Sequence, residues 1–339
     1  MKQKFTTLSE YKDLLNDLPE FNKLMSELAK DYNATLTKPQ GSLGRLEELA
    51  CFFAGWQGTE KPKLENIQVA IFAGNHGVSE QGISAFPSEV TSQMVENFKN
   101  GGAAINQLAQ LFNAELQVYE MDLDLPTNDF TKKPALTEQE CLNAISVGWN
   151  SVDPKSDLFL AGEMGIGNTT SAAAIAAALC GGGGVDWVGR GTGISDKALQ
   201  KKVEVVDKGL AKHSVGIVPP LKILQRLGGK EIAAIVGAIL ATRFKKIPFL
   251  LDGFICGSAA LVLSKMLPGS IDHVISGHVS AESAHKKMLK ELKKKPLISL
   301  DLRLGEGSGA AVSLGIIKSA LACHSGMASF SSAGVSNKG

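Results

Sequence analysis

Ile67-Gln68-Val69-Ala70-Ile71-Phe72, running on into Ala73-Gly74-Asn75-His76-Gly77, decides the fold. Its apolar residues do not alternate with polar ones, which marks a strand buried on both faces. Glycines then open a loop. The same pattern returns at Leu116-Gln117-Val118-Tyr119, Asp157-Leu158-Phe159-Leu160, Pro248-Phe249-Leu250-Leu251 and His273-Val274-Ile275. Helical spacing of apolar residues follows several of these runs. Strands that alternate with helices predict an α/β fold built on a doubly wound parallel sheet. Ligands of such sheets sit beyond the carboxyl ends of strands. The glycine-rich stretches fall there: Ala73 to Gly77, Gly162-Glu163-Met164-Gly165, and Asp252-Gly253.

At 339 residues the chain is long enough for one large domain and a smaller companion. Leu8, Leu14, Leu15, Leu18, Phe21, Leu24, Met25 and Leu28 keep helical spacing and are expected to pack away from the sheet, with the C-terminal helix. The expected division is a small, mostly helical discontinuous domain from 1–60 and 300–339, and a large α/β domain over 61–299 carrying a nucleotide cleft. Residues 122–136, with Pro126 and Pro134, read as a surface connection. Gly181 to Gly184 reads as a turn, and the tail after Gly334 as frayed.

Charge is balanced, with 35 basic and 34 acidic residues, so nothing favours nucleic acid or an anionic membrane as partner. The basic run Lys286 to Lys295 reads as a solvated helix face. Five scattered cysteines form no CxxC pair, which argues against a disulfide framework or zinc site and for a reducing cytoplasm. The polar start lacks the apolar stretch of a signal peptide. The apolar runs Ile232 to Thr242 and Ala310 to Ile317 are too short to span a bilayer.

Chemistry is concentrated in three glycine-rich segments. Leu302-Arg303-Leu304-Gly305-Glu306-Gly307-Ser308-Gly309-Ala310-Ala311 isolates one carboxylate at the entrance of an apolar helix. Glu306 there is either a desolvated general base or an acid complementing the helix dipole. Gly162-Glu163-Met164-Gly165-Ile166-Gly167-Asn168-Thr169-Thr170 opens an Ala-rich helix whose N–H groups suit phosphate, with Asn168 or Thr169 as cap. It matches neither GxGxxG nor GxxxxGK[ST]. Gly189-Arg190-Gly191-Thr192-Gly193 is the third, followed by Ser195 or Asp196 as cap. Arg190 is a phosphate contact or a surface residue, and Lys202 reaches an anionic ligand or is solvated. His76 is expected to be exposed at the cleft. A metal there lacks support, because His273, His278 and His285 have no ligand spacing. No GxSxG nucleophile motif occurs. The acidic pair and Thr-Gly-Gly-Thr-like loop that hold pyrophosphorylated ribose and its metal are likewise absent.

Taken together, the segments resemble the nicotinate-nucleotide–dimethylbenzimidazole phosphoribosyltransferase family of cobalamin lower-ligand synthesis. Five stretches carry the resemblance: Lys38-Pro39-Gln40-Gly41-Ser42-Leu43-Gly44-Arg45-Leu46-Glu47; Gly74 to Val78 with Ser84 to Thr91; Gly162 to Thr170; Gly189 to Gly193; and Leu251-Asp252-Gly253-Phe254 with Arg303 to Ala311. They reach from residue 38 to about 311. The resemblance implies a Rossmann-like parallel sheet flanked by helices and a cytoplasmic homodimer. Its reaction moves ribose phosphate from nicotinate mononucleotide to 5,6-dimethylbenzimidazole, without metal or cofactor. Glu306 matches the family's general base, Glu163 an acid near the reacting centre, and Lys202 a helix lysine linked to activity. Gly165, Asn168, Thr169, Arg190 and Gly191 would hold the nucleotide, with His76, Leu304 and Gly305 beside it. Phe86 and Met94 would contact the acceptor ring. Asn75 stands where many relatives have Asp. The alternatives are a metal-free nucleotide nucleosidase and a non-catalytic nucleotide-binding regulator.

Overall fold

The computed structural model describes residues 3–191 and 193–336. Thr7 caps α1 (Leu8–Asp13), accepting from the Glu10 N–H, and Asn22 caps α2 (Lys23–Thr35) in the same way. α3 (Arg45–Gln57) ends at Gly58 in the left-handed conformation. β1 (Ile67–Ala73) leads to α4 (Val90–Lys99), α5 (Ala104–Leu111) and β2 (Ala114–Glu120). A capping box of Thr137 and Glu140 opens α6 (Glu138–Ser151), which precedes β3 (Leu158–Met164). α7 (Asn168–Cys180), the short α8 (Gly184–Trp187) and α9 (Asp196–His213) follow, the last capped by Ser195. α10 (Pro220–Leu227) and α11 (Lys230–Phe244) lead to β4 (Phe249–Leu251) and α12 (Phe254–Met266). The chain closes with β5 (Val274–Ser276), β6 (His278–Val279), α13 (His285–Glu291), β7 (Ile298–Ser299), α14 (Ser308–Gly326) and α15 (Phe330–Ala333).

Five strands form one parallel sheet in the order β2-β1-β3-β4-β5, and β6 and β7 make a separate parallel pair. The expected α/β architecture is what the chain adopts. β1 is buried along its whole length and β3 up to Glu163. β2 differs from the continuous-burial expectation: it alternates half-buried and exposed residues, because it is an edge strand with one neighbour. One core lies among α6, α7, α11, α12 and one sheet face. A second lies on the other face under α3, α5 and α14. Small residues set the spacing. A side chain at Gly237 of α11 would come within 2.0 Å of the Ile145 carbonyl oxygen in α6.

Two segments pack otherwise than expected. The apolar spacing over residues 8 to 28 is not one unit, because the chain breaks between α1 and α2. Phe5, Tyr11 and Leu15 join the core of α6 and α11, and the Tyr11 hydroxyl donates to the Val236 carbonyl at 2.9 Å. Only α2 rests on α3, which in turn packs on α14. The 122–136 connection is pinned rather than free, since Phe130, Ala135 and Leu136 are buried and Thr127 accepts the Gly77 N–H. The basic stretch is solvated at Lys286, Lys287 and Lys290, but its helix stops at Glu291. Thr192 and residues 337–339 of the tail lie outside the described residues. Among the described residues no helix is long and apolar enough to cross a membrane.

Candidate active site

A cleft lies beyond the carboxyl ends of β3 and β4, lined by Glu163 to Thr169, Asp252 to Cys256 and Arg303 to Gly305. The junction from β3 to α7 forms its floor. Gly167 takes a left-handed conformation as the residue before α7, so neither Asn168 nor Thr169 is the cap. Asn168 instead turns its amide onto the Glu163 carboxyl and donates to it. The N–H groups of Gly165, Gly167 and Thr169 bond to no acceptor among the described residues, while Asn168 and Thr170 close the turn internally. Three donors at a helix N-terminus make a cradle for an anion.

Lys202 crosses from α9 to this cradle. Its ammonium donates to Thr169 Oγ1 at 2.7 Å and to the Gly189 carbonyl at 3.2 Å, and the side chain is buried. Burial pushes its pKa down to about 8, although Glu282 pulls the other way. Arg190 and Gly191 line the cleft as expected, but the Arg190 guanidinium is held by the Asp196 carboxylate and the Ile194 carbonyl of its own loop. Arg303 donates to the Gly191 carbonyl at 3.1 Å and ties that loop to the entrance of α14.

Two carboxyls meet behind this surface. Glu163 lines the cleft; burial first, then Glu231, Asp252 and Glu306, push its pKa up to about 8 despite the Asn168 hydrogen bond. Glu306 sits one residue behind the lining residues Leu304 and Gly305, with φ +63°, between glycines at +83° and +78°. Three successive left-handed residues make a tight turn, and the non-glycine one stores strain of about 1–3 kcal/mol. The turn rests on Gly162, where a side chain would come within 2.4 Å of the Glu306 backbone. Glu306 is buried, and one of its carboxylate oxygens has no hydrogen-bond partner among the described residues. Burial and then the Asp252 charge raise its pKa to about 7.

Other expected contacts fall elsewhere. His76 is not exposed: its ring lies between Ser171 Oγ at 3.0 Å and Glu231 Oε1 at 2.6 Å, and both partners are fully buried. The α11 entrance closes over it, since a side chain at Gly229 would meet the ring at 2.3 Å. Phe86 is exposed outside the cleft, and Met94, half-buried on α4, packs against the edge of the second core and does not line the cleft. Ile83 and Ser84 line the cleft from that segment instead. Asn75 donates to the Leu123 carbonyl at 3.0 Å, a bond a carboxylate could not make, and lies away from the cleft. Asp252, His278 and Glu282 also line the cleft, and sequence reasoning gave none of them a role there. Asp252 had a signal, being the residue after β4. His278 comes from the short strand β6 and Glu282 from the turn that follows it, neither of which has a motif.

The comparisons agree along the whole chain. A family model described as phosphoribosyltransferase matches residues 18–335. The chain is 54% identical over 336 residues to the nicotinate-nucleotide–dimethylbenzimidazole phosphoribosyltransferase of Cereibacter sphaeroides, covering 99% of each. It is 54% identical over 332 residues to the protein of that name from Ruegeria pomeroyi, covering 98% of each. The crystal structure of CobT from Thermus thermophilus is similar with a TM-score of 0.88 at 39% identity, covering 93% of this chain and 100% of that one. The chain belongs to the nicotinate-nucleotide–dimethylbenzimidazole phosphoribosyltransferase family, and is a phosphoribosyltransferase.

Proposed function

We propose that this enzyme transfers the phosphoribosyl group of nicotinate mononucleotide to 5,6-dimethylbenzimidazole, with Glu306 as general base. The names of its relatives support the substrates. The observation that carries the base is a buried Glu306 carboxylate with one unpartnered oxygen beside a phosphate cradle. Nicotinate mononucleotide has a cationic pyridinium as leaving group, so the bond to ribose C1′ breaks with its electrons going to the ring nitrogen. A benzimidazole nitrogen attacks C1′ from the opposite face, converting β to α. As that bond forms, the second ring N–H turns acidic and Glu306 takes its proton.

Around this step, the free N–H groups of Gly165, Gly167 and Thr169 hold the 5′-phosphate, with the Lys202 ammonium beside them. Glu163 acts in its neutral form as a donor toward the ribose, since its pKa of about 8 keeps it protonated near neutrality. Arg190 serves by shaping its loop rather than by reaching phosphate. Homodimer formation and a cytoplasmic setting belong to the same proposal.

The test is mass-spectrometric detection of α-ribazole 5′-phosphate from purified protein, nicotinate mononucleotide and 5,6-dimethylbenzimidazole. Ribotide and nicotinate in equal amounts support transfer. Nicotinate with ribose 5-phosphate and no ribotide would replace it with the nucleosidase reading.

A further inference from the structure

His278 lies on the short strand β6 and lines the cleft, yet nothing in the transfer step described above uses it. Its ring packs flat on the first turn of α14: a side chain at Gly309 would fall within 2.3 Å of ring atoms, so that position must be glycine for the ring to fit. From there Nε2 stands 3.3 Å from Asp252 Oδ1. The same oxygen accepts the Ala310 N–H at 2.8 Å, which fixes the carboxylate between β4 and the start of α14, four residues beyond Glu306. Neither ring nitrogen of His278 has an aligned hydrogen-bond partner among the described residues, so the contact is one of charge and dipole. The Asp252 oxygen 3.3 Å from Nε2 favours the tautomer with hydrogen on that nitrogen, which presents its positive end to the carboxylate.

The other groups packed here are close to neutral. Burial pushes the Cys256 thiol of α12 well above its ordinary value. His285 of α13 is pushed down to about 4, by burial first and then by His278, and its Nδ1 accepts the Ser280 N–H. Glu163, at about 8, is largely protonated near neutrality. Lys202 and Glu282 face the cradle side of the cleft. Asp252 itself stays below the ordinary carboxylate range: burial raises it, but His278 and the N–H groups of Ala310 and Gly253 outweigh that. Asp252 is the charge that raises the Glu306 pKa, and His278 is the side chain set against that charge, with Arg303 on the cradle side of the cleft.

We infer that His278 is a positioning residue of this active site, which acts on Glu306 through Asp252 by offsetting the carboxylate charge that Glu306 faces. The inference rests on the proposed role of Glu306. Its test does not depend on turnover. In protein labelled with ¹³C at glutamate side-chain carboxyls, the Glu306 resonance is assigned by its loss in Glu306→Gln and titrated. His278→Phe fills the same space without the donor, and Glu306 then titrates higher by about half a unit or more. His278→Gln keeps an N–H for Asp252 and gives a smaller rise in the same direction. In an Asp252→Asn background, His278→Phe adds no shift. An unchanged or lower Glu306 titration in the folded Phe or Gln variant overturns the inference, as does a shift that persists without Asp252. Wild-type turnover, measured separately, reports on the transfer reaction: an inactive wild type rejects that reading while the titration still decides the role of His278.

Discussion

Two glycine-rich junctions place a carboxyl at or just behind the same cleft and give each a different environment. The β3 to α7 junction surrounds Glu163 with other acids, Glu231, Asp252 and Glu306, and gives it an Asn168 amide as donor. The junction into α14 holds Glu306 in a left-handed turn with one oxygen unpartnered and Asp252 as the charge raising its pKa. Like charges disfavour ionisation, so the more crowded acid keeps its proton to the higher pH. Glu163 at about 8 suits a neutral donor, and Glu306 at about 7 suits a base that loses and regains a proton near neutrality.

Substitution by glutamine separates them, because glutamine imitates a neutral carboxyl and never a base. Glu306→Gln should lower kcat by about 10²–10⁴-fold while the KM for nicotinate mononucleotide changes little. Steady-state kinetics of the transfer reaction check this, and a variant within threefold of wild type would break the contrast. Removing the buried partner of Glu231 comes next, as an effect on stability rather than chemistry. His76→Ala removes the 2.6 Å hydrogen-bond partner of buried Glu231 and empties the ring's space, and should cost about 3–5 kcal/mol in a denaturant titration. A stability loss under 1 kcal/mol would mean that the His76–Glu231 contact does not hold the floor of the site together. The smallest change belongs to Glu163→Gln, for which kcat at neutral pH should fall by less than about tenfold. A loss as large as that of Glu306→Gln would show that Glu163 works as an anion, and the two junctions would then be alike.

How much of this was legible in sequence depends on whether the backbone or a side chain carries the feature. The strands, the glycine loops and the entrance to α14 are set by hydrophobic continuity and glycine, both local. The cradle was readable for that reason, and so was the isolation of Glu306. The direction of a side chain at a strand end was not. His76 and His278 each sit just beyond or within a strand near glycine. One is sealed by Gly229 and Glu231 from α11, more than 150 residues away, and the other opens to the cleft beside Asp252. Phe86 and Met94 lie off the cleft for the same reason. Helix α4 turns Met94 against the edge of the core, and the loop before it leaves Phe86 in solvent, so Ile83 and Ser84 face the site. The break between α1 and α2 hides similarly, since Phe5 and Tyr11 find partners in α6 and α11 that apolar spacing alone does not name.

The most direct measurement is the pH dependence of kcat for ribotide formation by wild type, Glu163→Gln and Glu306→Gln. In wild type the rate should rise with pH as Glu306 loses its proton near 7 and fall as Glu163 loses its own near 8. Glu163→Gln should keep the rise and lose the Glu163 part of the fall, leaving the part set by Lys202 with its pKa of about 8, and the residual rate of Glu306→Gln should lack the rise. A rising limb that persists unchanged in Glu306→Gln would contradict the assignment of Glu306 as the base.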